Sequence, residues 1–283
     1  MKPGQASQTA VLVCAARAAA HGTTNIARYS DPTAIALLPA EARAAVERYH
    51  RGEVGEGPRA RIAHETTRRR AAMMVARTLF IDDAIREANA KQVVILGAGL
   101  DGRVWRMDEL RDATVFEVDH PDSQRDKRER VASLTQVAKD VRFVAVDFER
   151  DNLDDALSAA GHDADVATMW IWEGVVMYLT PADVEATLAV VAKRSAVGSS
   201  IAIAYHAPAF MLRIVGYIVK RMGEPLRSSF TASQMEALLA RHGFHAERDQ
   251  NLHDIGGALA TDIGEATKPM KHTRIVIAKM RSA

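Results

Sequence analysis

The chain has 283 residues, 48% of them hydrophobic, which is enough for one large core or for one core with a helical extension. Its 37 Lys and Arg nearly balance 36 Asp and Glu, for a formal charge of +1, so there is no cationic surplus to neutralise nucleic-acid phosphates. The lone cysteine, Cys14, excludes an internal disulfide and fits a reducing compartment, and no window approaches the ~18 apolar residues of a membrane span.

Residues 7–20 read as an Ala-rich helix. Lys2 ahead of TAVLVCAARAAA resembles a secretion signal, but Arg17 interrupts the apolar run, and a cytoplasmic protein is expected. A second helical pattern starts near Glu41, GEVGEGP at 52–58 is a loop, and a long helix follows over about 60–89. Its apolar stripe is Met73, Met74, Phe80, Ile81 and Ile85. The adjacent run Arg68–Arg69–Arg70 reads as a solvated face rather than an anion site. Residues 1–90 are thus expected to form an N-terminal helical extension or cap.

From Lys91 the pattern alternates. Strands are predicted at 92–97, 113–118, 141–146, 166–172, 199–205, 244–249 and 273–279, with helices at 121–137 and 181–194. Such alternation specifies a mostly parallel sheet with helices on both faces. Only a polar, glycine-containing stretch separates the last two strands, which implies one antiparallel strand near an edge. The expected fold is α/β: a Rossmann-like, doubly wound seven-stranded sheet over 91–283, with a helical lid insert at about 207–230. The apolar residues Phe210, Leu212, Ile214, Val215, Ile218 and Val219 of that insert could line a pocket or pack on the sheet.

The most informative stretch is VVILGAGLDGR at 93–103, followed by VFEVDHP at 115–121. Gly97, Gly99 and Gly102 satisfy G-x-G-x-x-G, and Asp119 lies 20 positions after Gly99, at the tip of the second strand. A strand, a glycine turn, a helix and a second strand ending in an acid bind an adenosine-containing cofactor over the glycines, the acid taking the ribose hydroxyls. Glu117, two residues earlier on the same face, is the competing ribose acid. Asp101 would repel a dinucleotide's pyrophosphate but suits the sulfonium and ammonium of S-adenosylmethionine; it could also simply cap the next helix. Further strand ends carry Asp147–Phe148, Glu173 and Tyr205–His206. Unpaired carboxylates are costly to bury, so acids at three successive strand ends point to a site: Asp119 for the ribose, Asp147 for the adenine amino group, and Phe148 for the ring face.

The motifs LGAGLDGR, FEVDHP, VDFERD, WEGVVMYL and GEPLRSSF, in this order, resemble those of the leucine carboxyl methyltransferase family. They are most similar to its bacterial branch of O-methyltransferases linked to polyketide and other secondary metabolism. The N-terminal segments AARAAAHG, DPTA and ARTLFIDDAI are also similar, so the resemblance spans about residues 8–250. It implies a class I methyltransferase fold, S-adenosylmethionine as cofactor, no metal and a small-molecule acceptor. By position it implies that Arg77 contacts the methionyl carboxylate, that Gly97, with Ala98 and Gly99, cradles the methionine backbone, and that Glu173 meets the ammonium. Asp119, Asp147 and Phe148 keep the nucleoside roles given above. Arg77 also lies on the apolar stripe of its helix, where an arginine can snorkel to a structural partner. Two departures stand out: Gly102, where the branch usually has Ser or Thr, and His120, where it has an apolar or amide residue.

The reaction expected is methyl transfer to an oxygen of the acceptor, with a carboxylate favoured. Arg17, Tyr178 and Tyr205 are candidate acceptor anchors; His206 is the candidate base for a phenol or alcohol, titrating near 6.5 if unperturbed. The alternatives are hydroxyl methylation through His206, a nicotinamide-dependent oxidoreductase, and a cofactor-binding protein without catalysis.

Overall fold

The computed structural model describes residues 7–147, 150–209 and 226–281. Phe148 and the apolar residues Phe210 to Val219 of the expected insert therefore lie outside the described residues.

The N-terminal helices are α1 (Gln8–Ala20), α2 (Ala34–Leu37), α3 (Ala40–His50) and α4 (Pro58–Ala88). Ser7 caps α1 by accepting from the Ala10 N–H, and Pro58 opens α4 at a position where the missing N–H costs nothing. α4 ends at Asn89, in the left-handed region at φ 41°. Met74, Ile81 and Ile85 of its predicted stripe are buried, whereas Arg68, Arg69 and Arg70 are exposed, the first two paired with Glu65.

The strands are β1 (Gln92–Leu96), β2 (Thr114–Asp119), β3 (Asp140–Ala145), β4 (Thr168–Trp172), β5 (Ser200–His206), β6 (Phe244–Asn251) and β7 (Thr273–Met280). Their order is β3-β2-β1-β4-β5-β7-β6. β1 to β5 run parallel, and β7 is antiparallel to both neighbours. Every residue of β1 is buried, as a central parallel strand covered on both faces requires. Alternate residues feed two cores. Val93 and Ile95 pack with residues of α1 and α4. Val94 and Leu96 pack with residues of α6 (Leu153–Ala159), α7 (Pro181–Lys193) and α8 (Ala232–Arg241). The N-terminal helices therefore share a core with the sheet.

Three connections differ from expectation. The glycine turn leads into no α-helix, only 3-10 turns at Arg103–Trp105 and Asp108–Leu110. Arg103, Val104, Trp105 and Met107 are all buried, so this stretch has no solvent face on which an amphipathic helix could rest. α5 (Pro121–Val131) stops six residues short of the predicted 137, because the Val137 and Ala138 N–H groups donate to the Val104 carbonyl at 3.0 Å. The glycine-containing stretch between β6 and β7 forms two short helices, α9 (Leu252–Leu259) and α10 (Thr261–Thr267), packed on α4. Among the described residues no helix is long and apolar enough to cross a membrane.

Candidate functional site

The strand order reverses between β1 and β4, and a pocket opens at the C-terminal ends of β1, β2 and β4. Beyond β1 the chain turns at Gly97, whose φ is +69°. A Cβ there would stand 2.3 Å from Val175 Cγ2, so only glycine lets the turn pass beneath the loop after β4. The Gly97 and Ala98 N–H groups donate to the Val118 carbonyl at 2.8 and 3.0 Å, which ties the turn to β2. Asp119 completes the tie: one carboxylate oxygen accepts from the Gly99 N–H and the other from the His120 N–H at 2.7 Å. Burial pushes the Asp119 pKa up, against these two bonds.

α1 lies along the pocket and contributes Thr9, Ala10, Val13 and Arg17; α4 contributes Arg77. Asp119 and His120 form the β2 side, and the loop after β4 supplies Glu173, Gly174, Val175 and Tyr178. His120 caps α5, its Nδ1 accepting from the Asp122 N–H at 3.2 Å.

Behind the pocket runs a chain of alternating buried charges. Arg17 Nε is 3.1 Å from Asp31, which also lies 3.7 Å from Arg106. Arg106 reaches Asp82 at 2.8 Å, and Asp82 meets Arg103 at 2.8 Å. Arg103 pairs with Asp101 and, at 3.0 Å, with Glu173, whose other oxygen lies 2.6 Å from Arg77 Nε. Both ends of this chain, Arg17 and Arg77, are arginines that line the pocket. They differ in how well they are neutralised. Burial disfavours the Arg17 cation, but Asp31 together with Cys14, Asp101 and Tyr29 outweighs it and raises its pKa. For Arg77 burial wins: Glu173 opposes it, while repulsion from Arg17 and Arg103 adds to it, and the pKa falls. Burial alone would raise the Glu173 pKa; Arg77 and Arg103 together hold it below the usual range.

The residues predicted from the sequence divide cleanly by position. Arg17, Arg77, Gly97, Ala98, Gly99, Asp119, Glu173 and Tyr178 all line the pocket. Asp147 follows β3, its N–H donating to Asp151 at 2.8 Å, and it does not reach the lining. Glu117 pairs with Lys127 at 2.7 Å, away from the lining, and burial raises its pKa to about 7. Asp101 lines the pocket too, but its charge is paired: Arg103 holds one carboxylate oxygen, and the other accepts from the Arg103 N–H, as the capping alternative expected. The argument against a pyrophosphate now rests on the turn itself, which opens no α-helix N-terminus to seat one.

Two acceptor-side candidates need correction. Tyr205 is buried in the core on the opposite face of the sheet; its hydroxyl donates to Asp249 at 2.5 Å and accepts from Arg274 at 3.2 Å. It joins β5 to β6 and β7 rather than facing a substrate. His206 stands outside the pocket lining, edge-on to His272 at 5.4 Å between ring centroids. Burial first, then His272 and Arg77, push its pKa down to about 4, so it is neutral at every working pH rather than titrating near 6.5. Sequence reasoning missed Asp31, Asp82, Arg103 and Arg106: the first three lie within the quoted segments DPTA, ARTLFIDDAI and LGAGLDGR, but their pairing with one another arises only in the fold.

Known proteins match this arrangement. The leucine carboxyl methyltransferase family model matches residues 10–192. A Streptomyces coelicolor protein provisionally named an S-adenosyl-L-methionine-dependent methyltransferase is 36% identical over 64% of this chain and 67% of its own. A similarly named Streptomyces avermitilis protein is 33% identical over 71% of each chain. Among solved structures, a DUF574 family protein from Streptomyces avermitilis covers 98% of both chains at a TM-score of 0.61 and 13% identity. A protein from Thermobifida fusca described provisionally as a methyltransferase covers 99% of this chain and 96% of its own at 0.57 and 14%. The fold is that of class I methyltransferases, and the chain belongs to the leucine carboxyl methyltransferase family of S-adenosylmethionine-dependent enzymes.

Proposed function

We propose that this methyltransferase moves the methyl group of S-adenosylmethionine to an oxygen of a small-molecule acceptor, a carboxylate in preference to a hydroxyl, within bacterial secondary metabolism. The pocket fits the cofactor. The turn at Gly97 offers backbone where a Cβ would collide with Val175, and Arg77 is a buried cation only partly neutralised by a carboxylate that it shares with Arg103. Arg77 takes the methionyl carboxylate, Glu173 the ammonium, and Asp119 the ribose hydroxyls. Asp147 and Phe148 are the residues that the resemblance assigns to the adenine.

When bound, the cofactor supplies the electrophile, a methyl group on a sulfonium. The protein's own task is to align an acceptor oxygen and keep water out. α1 walls the pocket, and Arg17 anchors that wall by donating to the Leu100 carbonyl at 2.5 Å. Tyr178 lines the pocket from the loop after β4 that also carries Glu173 and Gly174, and it is the candidate acceptor anchor. The observation that carries the carboxylate preference is that no described lining residue stands as a free base: the imidazole of His120 has its Nδ1 committed to the Asp122 N–H, and the carboxylates of Asp101, Asp119 and Glu173 are each held by arginines or backbone N–H groups. A carboxylate, with an unperturbed pKa of about 4, arrives ionised and needs no base.

Hydroxyl methylation through His206 remains the second reading, because its Nδ1 is buried without a hydrogen-bond partner and it sits near Arg77. A methyl-transfer assay on matched carboxylic acids and phenols separates the two. Preferential turnover of the acids supports the proposal; turnover of phenols alone, lost in His206→Gln, overturns it.

A further inference from the structure

Gly102 ends the glycine motif with φ −110°, a backbone conformation open to any residue, so its lack of a side chain needs another cause. The cause is a neighbour. A Cβ on Gly102 would stand 2.3 Å from the Thr33 hydroxyl, 3.4 Å from Asp31 Oδ1 and 3.5 Å from Leu37 Cδ1. Thr33 thus fills the notch that Gly102 leaves, from a segment 69 residues earlier in the chain.

The hydroxyl in that notch has a defined task. Thr33 Oγ1 donates to Asp31 Oδ1 at 2.9 Å and lies 3.5 Å from the Gly102 carbonyl. Asp31 is 1% exposed, and the same Oδ1 also accepts from the Ala34 N–H at 3.1 Å. Held on one side, the carboxylate presents its other oxygen to Arg17 at 3.1 Å, and Arg17 in turn grips the Leu100 carbonyl in the middle of the cofactor turn. Leu100 lies between Gly99, whose N–H is bound by Asp119, and Asp101, whose carboxylate is bound by Arg103. Three separate elements therefore fix three consecutive residues of the turn, and the grip on Leu100 begins at Thr33.

We infer that Thr33 is a positioning residue for cofactor binding: seated in the Gly102 notch, its hydroxyl orients Asp31 so that Arg17 holds the turn in its binding geometry. The inference rests on the assignment of the pocket to S-adenosylmethionine. It concerns affinity and geometry, because Thr33 does not line the pocket.

The test uses S-adenosylhomocysteine as the probe, titrated calorimetrically well below the melting temperature, beside thermal midpoints without ligand. Thr33→Val keeps the shape and loses the hydroxyl; its affinity should fall about tenfold, the worth of one hydrogen bond to a charged group. Thr33→Ser keeps the hydroxyl and should bind within about twofold of wild type by the same measure. Gly102→Ser should bind at least about tenfold more weakly, because it intrudes on Thr33 and drives its hydroxyl away from Asp31. At saturating cofactor kcat should stay near wild type in Thr33→Val while the KM for S-adenosylmethionine rises. Thr33→Val binding like wild type, with only a lowered midpoint, would make Thr33 a structural residue and overturn the inference. Gly102→Ser binding like wild type would do the same. Wild-type protein that failed to bind S-adenosylhomocysteine would instead refute the pocket assignment.

Discussion

Replacing Arg77 by Met probes the cofactor pocket most sharply, because the structure separates the residue's two possible duties. Methionine retains the length and apolar stem that pack in α4 but removes the guanidinium. Removing one partner of a buried ion pair ordinarily costs about 3–5 kcal/mol, since the other charge is stranded. Here Glu173 is not stranded: Arg103 Nη1 remains 3.0 Å from its second oxygen. Arg77 itself is disfavoured by burial and by the neighbouring Arg17 and Arg103, so its removal also relieves a cost. The two effects oppose each other, and the unliganded midpoint should move by no more than about 2–4 °C, equivalent to about 1 kcal/mol in a chain of this size. Affinity should change far more. A charge-assisted bond to the methionyl carboxylate is worth about 1.5–3 kcal/mol, so S-adenosylhomocysteine should bind roughly tenfold to a hundredfold more weakly. Calorimetric titration with parallel thermal melts reads both quantities, and Arg77→Lys should recover part of the affinity. A large fall in the midpoint with unchanged affinity would show that Arg77 serves the fold through Glu173 and would refute the reasoning.

Other outcomes follow from the same geometry. Asp119→Asn keeps the size of the side chain but removes the charge proposed to hold the ribose; S-adenosylhomocysteine affinity should fall about tenfold or more, and unchanged binding in a calorimeter would remove Asp119 from the site. Tyr205→Phe should cost about 1 kcal/mol of stability while turnover stays at the wild-type level, and an intact midpoint with lost turnover would restore it as an acceptor anchor. Because His206 has its pKa depressed to about 4 from 6.5, it is uncharged throughout the range from pH 6 to 8, and neither methylation reading gives a histidine step in the rate there. The same depression has a stability consequence: the unfolded chain binds the proton first, so His206 weakens the fold as pH drops from 6.5 toward 4. His162, also held down to about 4 chiefly by burial, acts in the same direction. Glu117, raised to about 7, acts in the opposite direction, so the His206 contribution is read as a difference: between pH 6.5 and 4 the midpoint of His206→Gln should gain on that of wild type, and an identical pH dependence in the variant would contradict the shift.

The sheet was legible because its signals are local. β1 to β4 each run into a glycine or an acid and β5 into Tyr205–His206, and all seven strands were predicted within a few residues of where they lie. The pocket residues on strand ends, such as Gly97 and Asp119, were legible for the same reason. Arg77 was legible only through the resemblance, since a cation on an apolar stripe has two readings until its partner is known. What could not be read is non-local. Asp31 and Arg106 are 75 positions apart, and nothing in either segment signals that they meet in the charge chain behind the pocket. The missing helix after the turn has the same origin. Arg103 enters a buried ring of acids, and those tertiary pairs override the periodicity that a G-x-G-x-x-G motif leads one to expect. Tyr205 misled because a polar residue at a strand end looks exposed. Strand alternation turns it to the far face, while its neighbour His206 takes the near one.

The chemical nature of the bond that forms is the most direct test of the proposed function. Protein incubated with methyl-labelled S-adenosylmethionine and a mixed pool of small carboxylic acids and phenols yields labelled product, which is then exposed to mild alkali. A methyl ester releases its label as volatile methanol, whereas a methyl ether retains it. Carboxyl methylation predicts that most of the label becomes volatile, with Arg77→Met and Asp119→Asn lowering the yield but not the volatile fraction. Label that stays bound through alkali would contradict carboxyl transfer.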